Sequence, residues 1–220
     1  MQKVIIVGAG GHAAEIDEYI QTINHKGAEP LFSVVGFLDD NPASYDAYRF
    51  SAPFLGRISE HEPDGSSLYI IGIASPAYRR PIIEALLSKG AKFASLVHPN
   101  TFVSPTAKIG QGVIIAPNVN IGPNVVIGDF TMVNARASIA HDTKLGAFNF
   151  IGPNVCFSGF TTIGDDNLFG INSATIPSVT IGNRNKIAAG MVLDKPVGDD
   201  TTVFYRYKER VMAVPKGKSG

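Results

Sequence analysis

Large apolar residues recur at every sixth position through the second half of the chain. From Val103 to Leu193, fifteen of the sixteen positions at this spacing are large and apolar, and Thr175 is the exception. A helix repeats at about 3.6 residues and a flat strand at about two, so neither element accounts for a period of six. We therefore predict short strands on the three faces of a triangular coil, with the apolar residues stacked inside about five coils. The register has no insertion, so we expect no long loop to leave the coil between these residues.

Glycine often follows the repeating apolar residue, and the pentapeptide IGPNV occurs at both 121–125 and 151–155. Glycine adopts positive φ angles at little cost because it lacks a Cβ atom. We therefore expect the glycines of the repeat to occupy corners where the chain turns with positive φ.

The first half of the chain alternates short apolar runs with helical segments. Strands are predicted at residues 4–7, 33–38, 68–73 and 93–97, and helices from about residue 13 and at 76–89. Such alternation is typical of a parallel sheet that binds ligands at the carboxyl ends of its strands. About 95 residues are too few for a full dinucleotide-binding domain, which opposes a dinucleotide-dependent oxidoreductase, but they suffice for one mononucleotide-binding half.

The sequence thus predicts two domains and a tail. Residues 1–98 are expected to form a Rossmann-like α/β half domain, and residues 99–200 an all-β parallel β-helix built from hexapeptide repeats. Residues 201–220 are expected to form a C-terminal tail. The dipeptide His98-Pro99 marks the break between the domains.

Composition excludes several classes of function. The 19 Lys and Arg residues balance the 19 Asp and Glu residues, and this formal net charge of +0 argues against a nucleic-acid partner or a polybasic membrane anchor. Cys156 is the only cysteine, so no intrachain disulfide is possible and a reducing compartment is expected. No apolar run reaches the roughly 20 residues that span a bilayer, and no signal peptide is recognised. We therefore expect a cytoplasmic protein.

Three glycines, Gly8, Gly10 and Gly11, follow the first predicted strand, and His12 comes directly after them. Glycines let the backbone approach a phosphate closely, and the helix that follows presents free N–H groups and the positive end of its dipole. The segment GAGGHA lacks the full GxGxxG spacing, so a tight turn between strand and helix remains an alternative.

Two acidic residues, Asp39 and Asp40, come at the end of the second predicted strand. At the carboxyl edge of a parallel sheet they are placed to accept hydrogen bonds from a ribose or a base edge. A solvated turn before Asn41-Pro42 is the alternative.

One histidine, His141, lies well inside the repeat, two residues past the inward Ile139. This offset places it near a corner of the coil, where Asp142 could orient the imidazole of a general base. A solvated His-Asp pair on the coil edge is the alternative. Hexapeptide-repeat carbonic anhydrases use three histidines on their coils, and this repeat has one, so no metal site is expected.

The order of these features resembles the NeuD/PglD family of sugar acyltransferases, over about residues 3–200. The resemblance rests on five motifs, VGAGGHA (7–13), GFLDDNP (36–42), HPN (98–100), AHDTKLG (140–146) and GINSATIP (170–177). The family includes nucleotide-amino-sugar N-acetyltransferases and sialic-acid O-acetyltransferases.

The resemblance implies a left-handed β-helix and a homotrimer with active sites between neighbouring chains. It implies acetyl-CoA as the acyl donor and a sugar linked to UDP, GDP or dTDP as the acceptor, without a metal. His141 matches the catalytic base and Asp142 its acidic partner. Gly159 matches the glycine whose N–H stabilises the tetrahedral oxyanion.

Further positions match residues that contact the two substrates in the family. Those along the pantetheine arm of acetyl-CoA are Gly159, Ile171, Ala188 and Ala189. Those over the diphosphate of the nucleotide sugar are Gly8, Gly10, Gly11 and His12, and those near the base are Asp39 and Asp40.

The chain departs from the family pattern in three places. Several relatives have a second active-site histidine where this chain has Phe150, which predicts a changed acceptor geometry or identity because a phenyl ring makes no hydrogen bond to a phosphate or sugar. The segment IAAG (187–190) replaces GAGA, which is a mild change. The basic, aromatic tail 203–211 replaces the usual end, and it is expected to pack on a neighbouring subunit or to contact a CoA phosphate.

The leading hypothesis is an acetyl-CoA-dependent N-acetyltransferase that acts on a nucleotide-linked amino sugar, a 4-amino-4,6-dideoxyhexose, in the synthesis of surface glycans such as lipopolysaccharide. One alternative is O-acetylation of a sialic acid or another sugar. Another is a trimer that binds a nucleotide sugar without catalysis.

Overall fold

The computed structural model describes residues 1–205. The chain begins with a four-stranded parallel sheet in the order β3-β2-β1-β4. Its strands are β1 (Gln2–Val7), β2 (Phe32–Leu38), β3 (Phe54–Gly56) and β4 (Leu68–Ile71), and its helices are α1 (Gly11–Lys26), α2 (Pro42–Asp46) and α3 (Pro76–Ser88). Residues 4–7 of the central strand β1 are all buried, as their unbroken apolar run predicts for a strand covered on both faces.

The α/β segment differs from its prediction at three places. Strand β4 ends at Ile71 rather than at residue 73. The predicted strand 93–97 divides, because Phe93 makes one bridge to Tyr69 whereas Leu96–Val97 pairs with the β-helix. Strand β3 and helix α2 were not predicted, since elements of three and five residues are too short to show a period.

The second half is a parallel β-helix of two-residue strands, arranged in sheets of five, six and seven strands. The five-stranded sheet contains β7 (Lys108–Ile109), β10 (Val126–Ile127), β13 (Lys144–Leu145), β16 (Thr162–Ile163) and β19 (Thr180–Ile181). The six-stranded sheet contains β6 (Phe102–Val103), β9 (Asn120–Ile121), β12 (Ser138–Ile139), β15 (Cys156–Phe157), β18 (Ala174–Thr175) and β21 (Val192–Leu193). The seven-stranded sheet contains β5 (Leu96–Val97), β8 (Ile114–Ile115), β11 (Met132–Val133), β14 (Phe150–Ile151), β17 (Leu168–Phe169), β20 (Lys186–Ile187) and β22 (Thr202–Val203).

Each strand pairs with the strand 18 residues later, as Val126 does with Lys144, so three hexapeptides make one coil. The six- and seven-stranded sheets correspond to about six coils, one more than predicted, because the pairing extends from Leu96 to Val203. The last coil is two residues shorter, since Lys186 pairs with Thr202. The domain boundary at residue 98 stays a prediction, and Leu96–Val97 just before it already pairs with β8.

The interior of the β-helix contains the predicted apolar columns and, beside them, a ladder of buried asparagines. Asn149, Asn167 and Asn185 are at most 1% exposed. Oδ1 of each accepts the N–H one coil later, at 2.9 Å for the first two pairs and 2.7 Å for the pair of Asn185 with Thr201. The exception in the apolar repeat, Thr175, is also buried, and its Oγ1 accepts the N–H of Ser158 at 3.0 Å.

The corner prediction for glycine was wrong. Positive φ occurs three residues after each inward residue from Ile109 to Ile187, and most of these positions are not glycine; examples are Asn118, Asn124, Phe130, Arg136 and Asp142. The glycines that follow the inward residue are required by the close stacking of coils. At Gly122, for example, a Cβ atom would lie 2.8 Å from the backbone nitrogen of His141.

The α/β domain covers part of the outer face of the seven-stranded sheet. The outward residues Leu96, Ile114 and Met132 are buried in its core cluster, and Phe150 packs against the same cluster. Phe150 therefore contributes to the contact between the domains, which gives its departure from the family pattern a packing role.

Helix α3 contributes two arginines to the polar contacts between the domains. The Arg79 guanidinium is 2% exposed and its Nη2 donates to the carbonyl of Phe130. Burial lowers the pKa of Arg79 to about 10. The Arg80 guanidinium forms an ion pair with Asp166, and its Cζ lies 4.5 Å from the ring centroid of Phe148. These contacts fix the α/β domain against one corner of the β-helix.

Candidate active site

The three corners of the β-helix differ in what they carry. The base corner connects the six-stranded to the five-stranded sheet and holds His141, Asp142 and Gly159. The domain corner connects the five-stranded to the seven-stranded sheet and faces α3. The donor corner connects the seven-stranded to the six-stranded sheet and holds Ile171, Ala188 and Ala189.

At the base corner, hydrogen bonds fix the imidazole of His141. Asp142 has a positive φ of 58°, and its Oδ2 lies 2.9 Å from Nδ1 of His141. Its other oxygen, Oδ1, accepts a hydrogen bond at 3.0 Å from Nδ2 of Asn124, one coil earlier. The hydrogen bonds from His141 and Asn124 lower the pKa of Asp142. The carboxylate therefore stays ionised, and a Nδ1-H tautomer leaves Nε2 of His141 as the acceptor of a proton.

Gly159 lies one coil after His141 and borders the same imidazole. A Cβ atom here would lie 2.7 Å from Cε1 and 2.9 Å from Nε2 of the ring. The Gly159 carbonyl accepts the N–H of Ser178 at 3.0 Å, whereas its own N–H has no hydrogen-bond partner among residues 1–205. Phe160 places its ring edge-on to the imidazole, with the centroids 5.2 Å apart. A proton acceptor and a free backbone donor thus lie side by side at an open corner.

The residues matched to the CoA arm do not join this group within one chain. Ile171, which is 45% exposed, Ala188 and Ala189 are at the donor corner, one face of the coil away from His141. Six residues of extended chain span roughly 20 Å, which is far beyond contact. At the same corner the Tyr205 hydroxyl donates to the Gly190 carbonyl at 3.1 Å. The rest of the predicted tail segment 203–211, from residue 206 on, lies outside the described residues.

The glycine loop connects β1 to α1 as predicted. Gly8 has a φ of +109°, and a Cβ atom there would lie 3.0 Å from the Gly72 carbonyl oxygen. Gly10 is the N-cap residue of α1 and makes no side-chain cap, and Gly11 faces the Tyr48 hydroxyl. The first N–H groups of this 16-residue helix therefore have no side-chain cap, which is the arrangement that suits an anion.

His12, in the first turn of α1, has only one of its ring nitrogens paired among residues 1–205. Its Nδ1 lies 3.0 Å from Oε2 of Glu15, and its buried Nε2 has no partner. The hydrogen bond with His12 lowers the pKa of Glu15. The pairing holds the imidazole in place at the start of the helix.

The two acids after β2 have different surroundings. Asp39 accepts the N–H of Ala9 at 2.7 Å through Oδ2 and that of Asn41 at 2.8 Å through Oδ1, so it ties the glycine loop to β2. Asp40 accepts both the N–H and the hydroxyl of Ser59 at 2.9 Å through Oδ1. Of the two side chains, Asp40 keeps one carboxylate oxygen without a protein partner among residues 1–205.

Two members of the base corner were not predicted. Asn124 and Phe160 flank Asp142 at 18 residues before and after it, and this spacing is the signal that finds them. Among residues 1–205, no group of three His, Cys, Asp or Glu side chains could hold a metal ion. Over the same residues, no helix is long and apolar enough to cross a membrane.

Comparison with family models divides the chain in the same way as the fold. Residues 3–86 match the PglD N-terminal domain. Residues 94–129 match the bacterial transferase hexapeptide (six repeats), and residues 160–195 match the hexapeptide repeat of succinyl-transferase. The chain is 30% identical over 119 residues to UDP-N-acetylbacillosamine N-acetyltransferase from Bacillus subtilis. That match spans 52% of this chain and about half, 51%, of the curated relative.

Solved structures share the whole fold. The acetyltransferase domain of PglB from Neisseria gonorrhoeae, in complex with acetyl coenzyme A, is 28% identical with a TM-score of 0.79, over 91% of this chain and 95% of that chain. PerB from Caulobacter crescentus, in complex with CoA and GDP-perosamine, is 25% identical with a TM-score of 0.77, over 92% and 93% of the two chains. These likenesses confirm the predicted left-handed β-helix behind an α/β domain. Residues 3–86 of this chain are thus similar to the PglD N-terminal domain, and the residues that follow are similar to the hexapeptide repeats of bacterial transferases.

Proposed function

We propose that the protein transfers the acetyl group of acetyl-CoA to the amine of a nucleotide-linked amino sugar, a 4-amino-4,6-dideoxyhexose used in surface-glycan synthesis in the cytoplasm. The observation that carries the proposal is the pairing of His141 and Asp142 beside the free N–H of Gly159. Direct acyl transfer needs a base for the attacking amine and a donor for the developing oxyanion, and this corner offers both.

In the proposed mechanism the amine nitrogen attacks the thioester carbonyl carbon while Nε2 of His141 takes the amine proton. Asp142 keeps Nδ1 of His141 protonated and stabilises the imidazolium that forms. The Gly159 N–H donates to the carbonyl oxygen as it becomes negative, a contribution often worth about 100-fold or more in rate. The C–S bond then breaks, and the proton passes from His141 to the CoA thiolate. The enzyme forms no covalent intermediate.

We propose that the working unit is a homotrimer with each site between two chains. The base corner and the donor corner lie a full coil face apart in one chain, so His141 and Ile171 can line one site only if they come from different chains. Exposed apolar side chains at both corners, Phe160 and Ile171, support a contact there. In a closed ring of three chains, the base corner of each chain contacts the donor corner of the next, so no corner of either kind stays unpaired.

The acceptor is proposed to bind at the carboxyl edge of the first sheet. The uncapped start of α1 suits a diphosphate, and Asp40 retains an oxygen for a ribose or base. Two proteins of similar sequence or structure carry names with such acceptors, the UDP-linked substrate in Bacillus subtilis and GDP-perosamine in Caulobacter crescentus. Their nucleotides differ, so the carrier for this chain is left to experiment.

Mass spectrometry of reaction mixtures tests the proposal. The full chain is incubated with acetyl-CoA and one nucleotide amino sugar at a time, from a UDP, GDP and dTDP panel. A product heavier by one acetyl group, with release of CoA, is the expected result and names the carrier. No product together with binding of CoA would favour a hydroxyl acceptor, as in sugar O-acetylation. Thermal stabilisation by a nucleotide sugar but not by CoA would instead favour a non-catalytic trimer.

A further inference from the structure

The face of the β-helix between the donor corner and the base corner carries almost no charge. It consists of the six-stranded sheet and the two corners beside it, which in four successive coils occupy residues 116–125, 134–143, 152–161 and 170–179. Among these residues the only Lys or Arg is Arg136, and the only Asp or Glu is Asp142. The domain corner carries four charged residues over the same coils: Asp129, Asp165, Asp166 and Arg184.

Several large apolar side chains of the same face are exposed. They are Phe102, Phe160, Ile171, Ile176 and Val192. Charged residues are depleted where one protein surface is buried against another. A face with exposed apolar side chains and so few charges therefore suits a second copy of this chain, in the homotrimer proposed above.

The two charged residues of this face lie at nearly the same height along the axis of the β-helix. Successive coils pair as neighbouring strands, so 18 residues correspond to a rise of about 4.8 Å. Arg136 precedes Asp142 by six residues, which corresponds to a rise of about 1.6 Å. Within one chain the two residues are nevertheless far apart, because they lie at opposite ends of a coil face.

The proposed ring brings the two residues together across neighbouring chains. Rotation about an axis parallel to the β-helix leaves every height unchanged, so each base corner meets donor-corner residues of similar residue number. The donor-corner residues with positive φ are Asn118, Arg136, Asn154, Asn172 and Gly190. Of these, Arg136 is the nearest in height to Asp142.

Hydrogen bonds along the donor corner orient the guanidinium of Arg136. Its Nε donates to Oδ1 of Asn154 at 2.8 Å, and Nδ2 of Asn154 donates to Oδ1 of Asn172 at 3.0 Å. Arg136 is exposed, and neither an ion pair nor a hydrogen bond to its two terminal nitrogens occurs among residues 1–205. The end of the guanidinium is therefore open to a carboxylate, which it can bind through both nitrogens.

Asp142 has room for this further contact. Its Oδ2 faces His141 and its Oδ1 accepts from Asn124, whereas a carboxylate offers about four acceptor positions. The Asp142 side chain is 34% exposed. Over residues 1–205 no Lys or Arg pairs with it, so a guanidinium from a neighbouring chain supplies the charged donor that its own chain does not.

We propose that Arg136 of one chain forms an ion pair with Asp142 of the neighbouring chain and thereby fixes the carboxylate that orients His141. The inference rests on the homotrimer of the proposed function, and it adds a positioning residue that each site takes from a second chain. Arg136 does not touch the reacting atoms. Its loss therefore lowers kcat and leaves KM for the nucleotide sugar nearly unchanged.

Kinetics of point variants test the positioning role. Arg136→Asn is expected to lower kcat roughly 10-fold, because a charged hydrogen bond is lost. Asparagine occupies the same corner position with positive φ one coil earlier and one coil later, at Asn118 and Asn154, so the backbone accepts it. Arg136→Lys is expected to recover part of the loss. Arg184→Asn is the matched control, since Arg184 also has positive φ but pairs with carboxylates of its own chain, and kcat should stay within about twofold of wild type.

A double-mutant cycle shows whether Arg136 acts through Asp142. In an Asp142→Asn background, Arg136→Asn is expected to cause no further loss of kcat, because the carboxylate that it fixes is already absent. A loss of the same size in both backgrounds would overturn the pairing.

A mixing experiment shows whether the contact crosses chains. Arg136→Asn and His141→Ala chains are refolded together in equal amounts. About half of the base corners that keep His141 then face a donor corner that keeps Arg136, so turnover per Arg136→Asn chain should rise to about half that of wild type. Turnover that does not rise above that of Arg136→Asn refolded alone would overturn the contact between chains.

Cross-linking separates a failure of this pairing from a failure of the proposed function. In a Cys156→Ser background, which removes the one exposed thiol, Arg136→Cys combined with Asp142→Cys is treated with a short bifunctional maleimide. Covalent dimers and trimers are expected, whereas Arg184→Cys combined with Asp142→Cys should give none. Cross-linked chains would support the pairing even if no sugar is acetylated. A monomeric wild type, or a trimer that does not cross-link, would overturn the pairing even if acetylated product forms.

Discussion

Gly159 lies one coil after His141, and the imidazole occupies the space that a side chain at Gly159 would need. The ideal Cβ position at Gly159 is 2.7 Å from Cε1 of His141 and 2.9 Å from Nε2. The glycine therefore has two connected roles, since it admits the ring and presents a free N–H beside it. The proposed base and the proposed oxyanion donor are therefore positioned by the same stacking of coils that builds the fold.

Gly159→Ala is expected to displace the His141 ring and lower kcat about 100-fold, because catalysis is sensitive to small displacements of the base. KM for the nucleotide sugar should change less than threefold, since the residues matched to its nucleotide and diphosphate lie in the α/β domain. Steady-state kinetics with Gly198→Ala as the control checks this, because a Cβ atom on Gly198 has open space. Equal activity of Gly159→Ala and wild type would mean that the observed packing is irrelevant to turnover.

Two inactive chains should restore activity when mixed. His141→Ala removes the proposed base, and Ile171→Asp places a charge at the donor corner. The two corners lie at opposite ends of one coil face. In the proposed trimer, assembled from equal amounts of both chains, about a quarter of the sites pair an intact base corner with an intact donor corner. The measurement is turnover after unfolding and refolding the mixture, with light scattering to establish assembly. Each variant refolded alone is the control, and a mixture no more active than those would place the whole site in a single chain.

The asparagine ladder should contribute strongly to stability. Asn167→Ala leaves the N–H of Asn185 without a side-chain partner inside the β-helix, whereas the carbonyl of Gly164 keeps Nδ2 of Asn149 as a donor. Because an unpaired buried N–H is costly, we expect the free energy of unfolding to fall by about 1–3 kcal/mol. Asn120→Ala, at an exposed outward position of β9, should change it by less than about 0.5 kcal/mol. Urea unfolding followed by circular dichroism compares the two, and equal effects would show that the ladder adds nothing.

Stability should decrease between pH 7.5 and 5, in part through His98. Burial, together with nearby Lys26, lowers the pKa of His98, and its Nδ1 accepts the N–H of Asn100 at 3.1 Å. The unfolded chain therefore takes up a proton near pH 6.5 while the folded chain resists it, so stability is lost as pH falls through that range. His98→Asn should reduce the drop in Tm between pH 7.5 and 5.0. His25 is exposed, so His25→Asn should leave the drop in Tm unchanged. If Tm falls equally in both variants, His98 does not contribute to the pH dependence of stability.

The β-helix was predictable from sequence because one period governs both burial and pairing. Every sixth residue turns inward, so the interior column from Val103 to Leu193 follows from counting alone. The corners were not predictable in the same way. Glycine is suited to a positive φ, yet most of the positive-φ positions in this β-helix hold other residues, such as Asn, Asp, Phe and Arg. The glycines that follow the inward residues are instead required by close contacts between coils. Each of these glycines is required by a contact with backbone about 18 residues later in the chain, so the neighbouring residues in sequence do not reveal the requirement.

The site was partly predictable for the same reason. His141 and Asp142 adjoin in sequence, and their pairing follows from the corner geometry. Two other features were not predictable, because they depend on contacts between segments that are distant in sequence. Phe150 packs against the α/β domain, and Asp39 accepts a hydrogen bond from the glycine loop.

The most direct test of the central claim is the turnover of His141→Ala, measured as CoA release with the acceptor identified by mass spectrometry. The proposed mechanism predicts a fall in kcat of about 1,000-fold, within the range of a lost general base, while CoA still binds and the trimer still assembles. Asp142→Asn should give a smaller loss, since it disturbs the orientation of His141 and leaves the ring present. Near-normal turnover of His141→Ala would contradict the mechanism and require another group to take the proton.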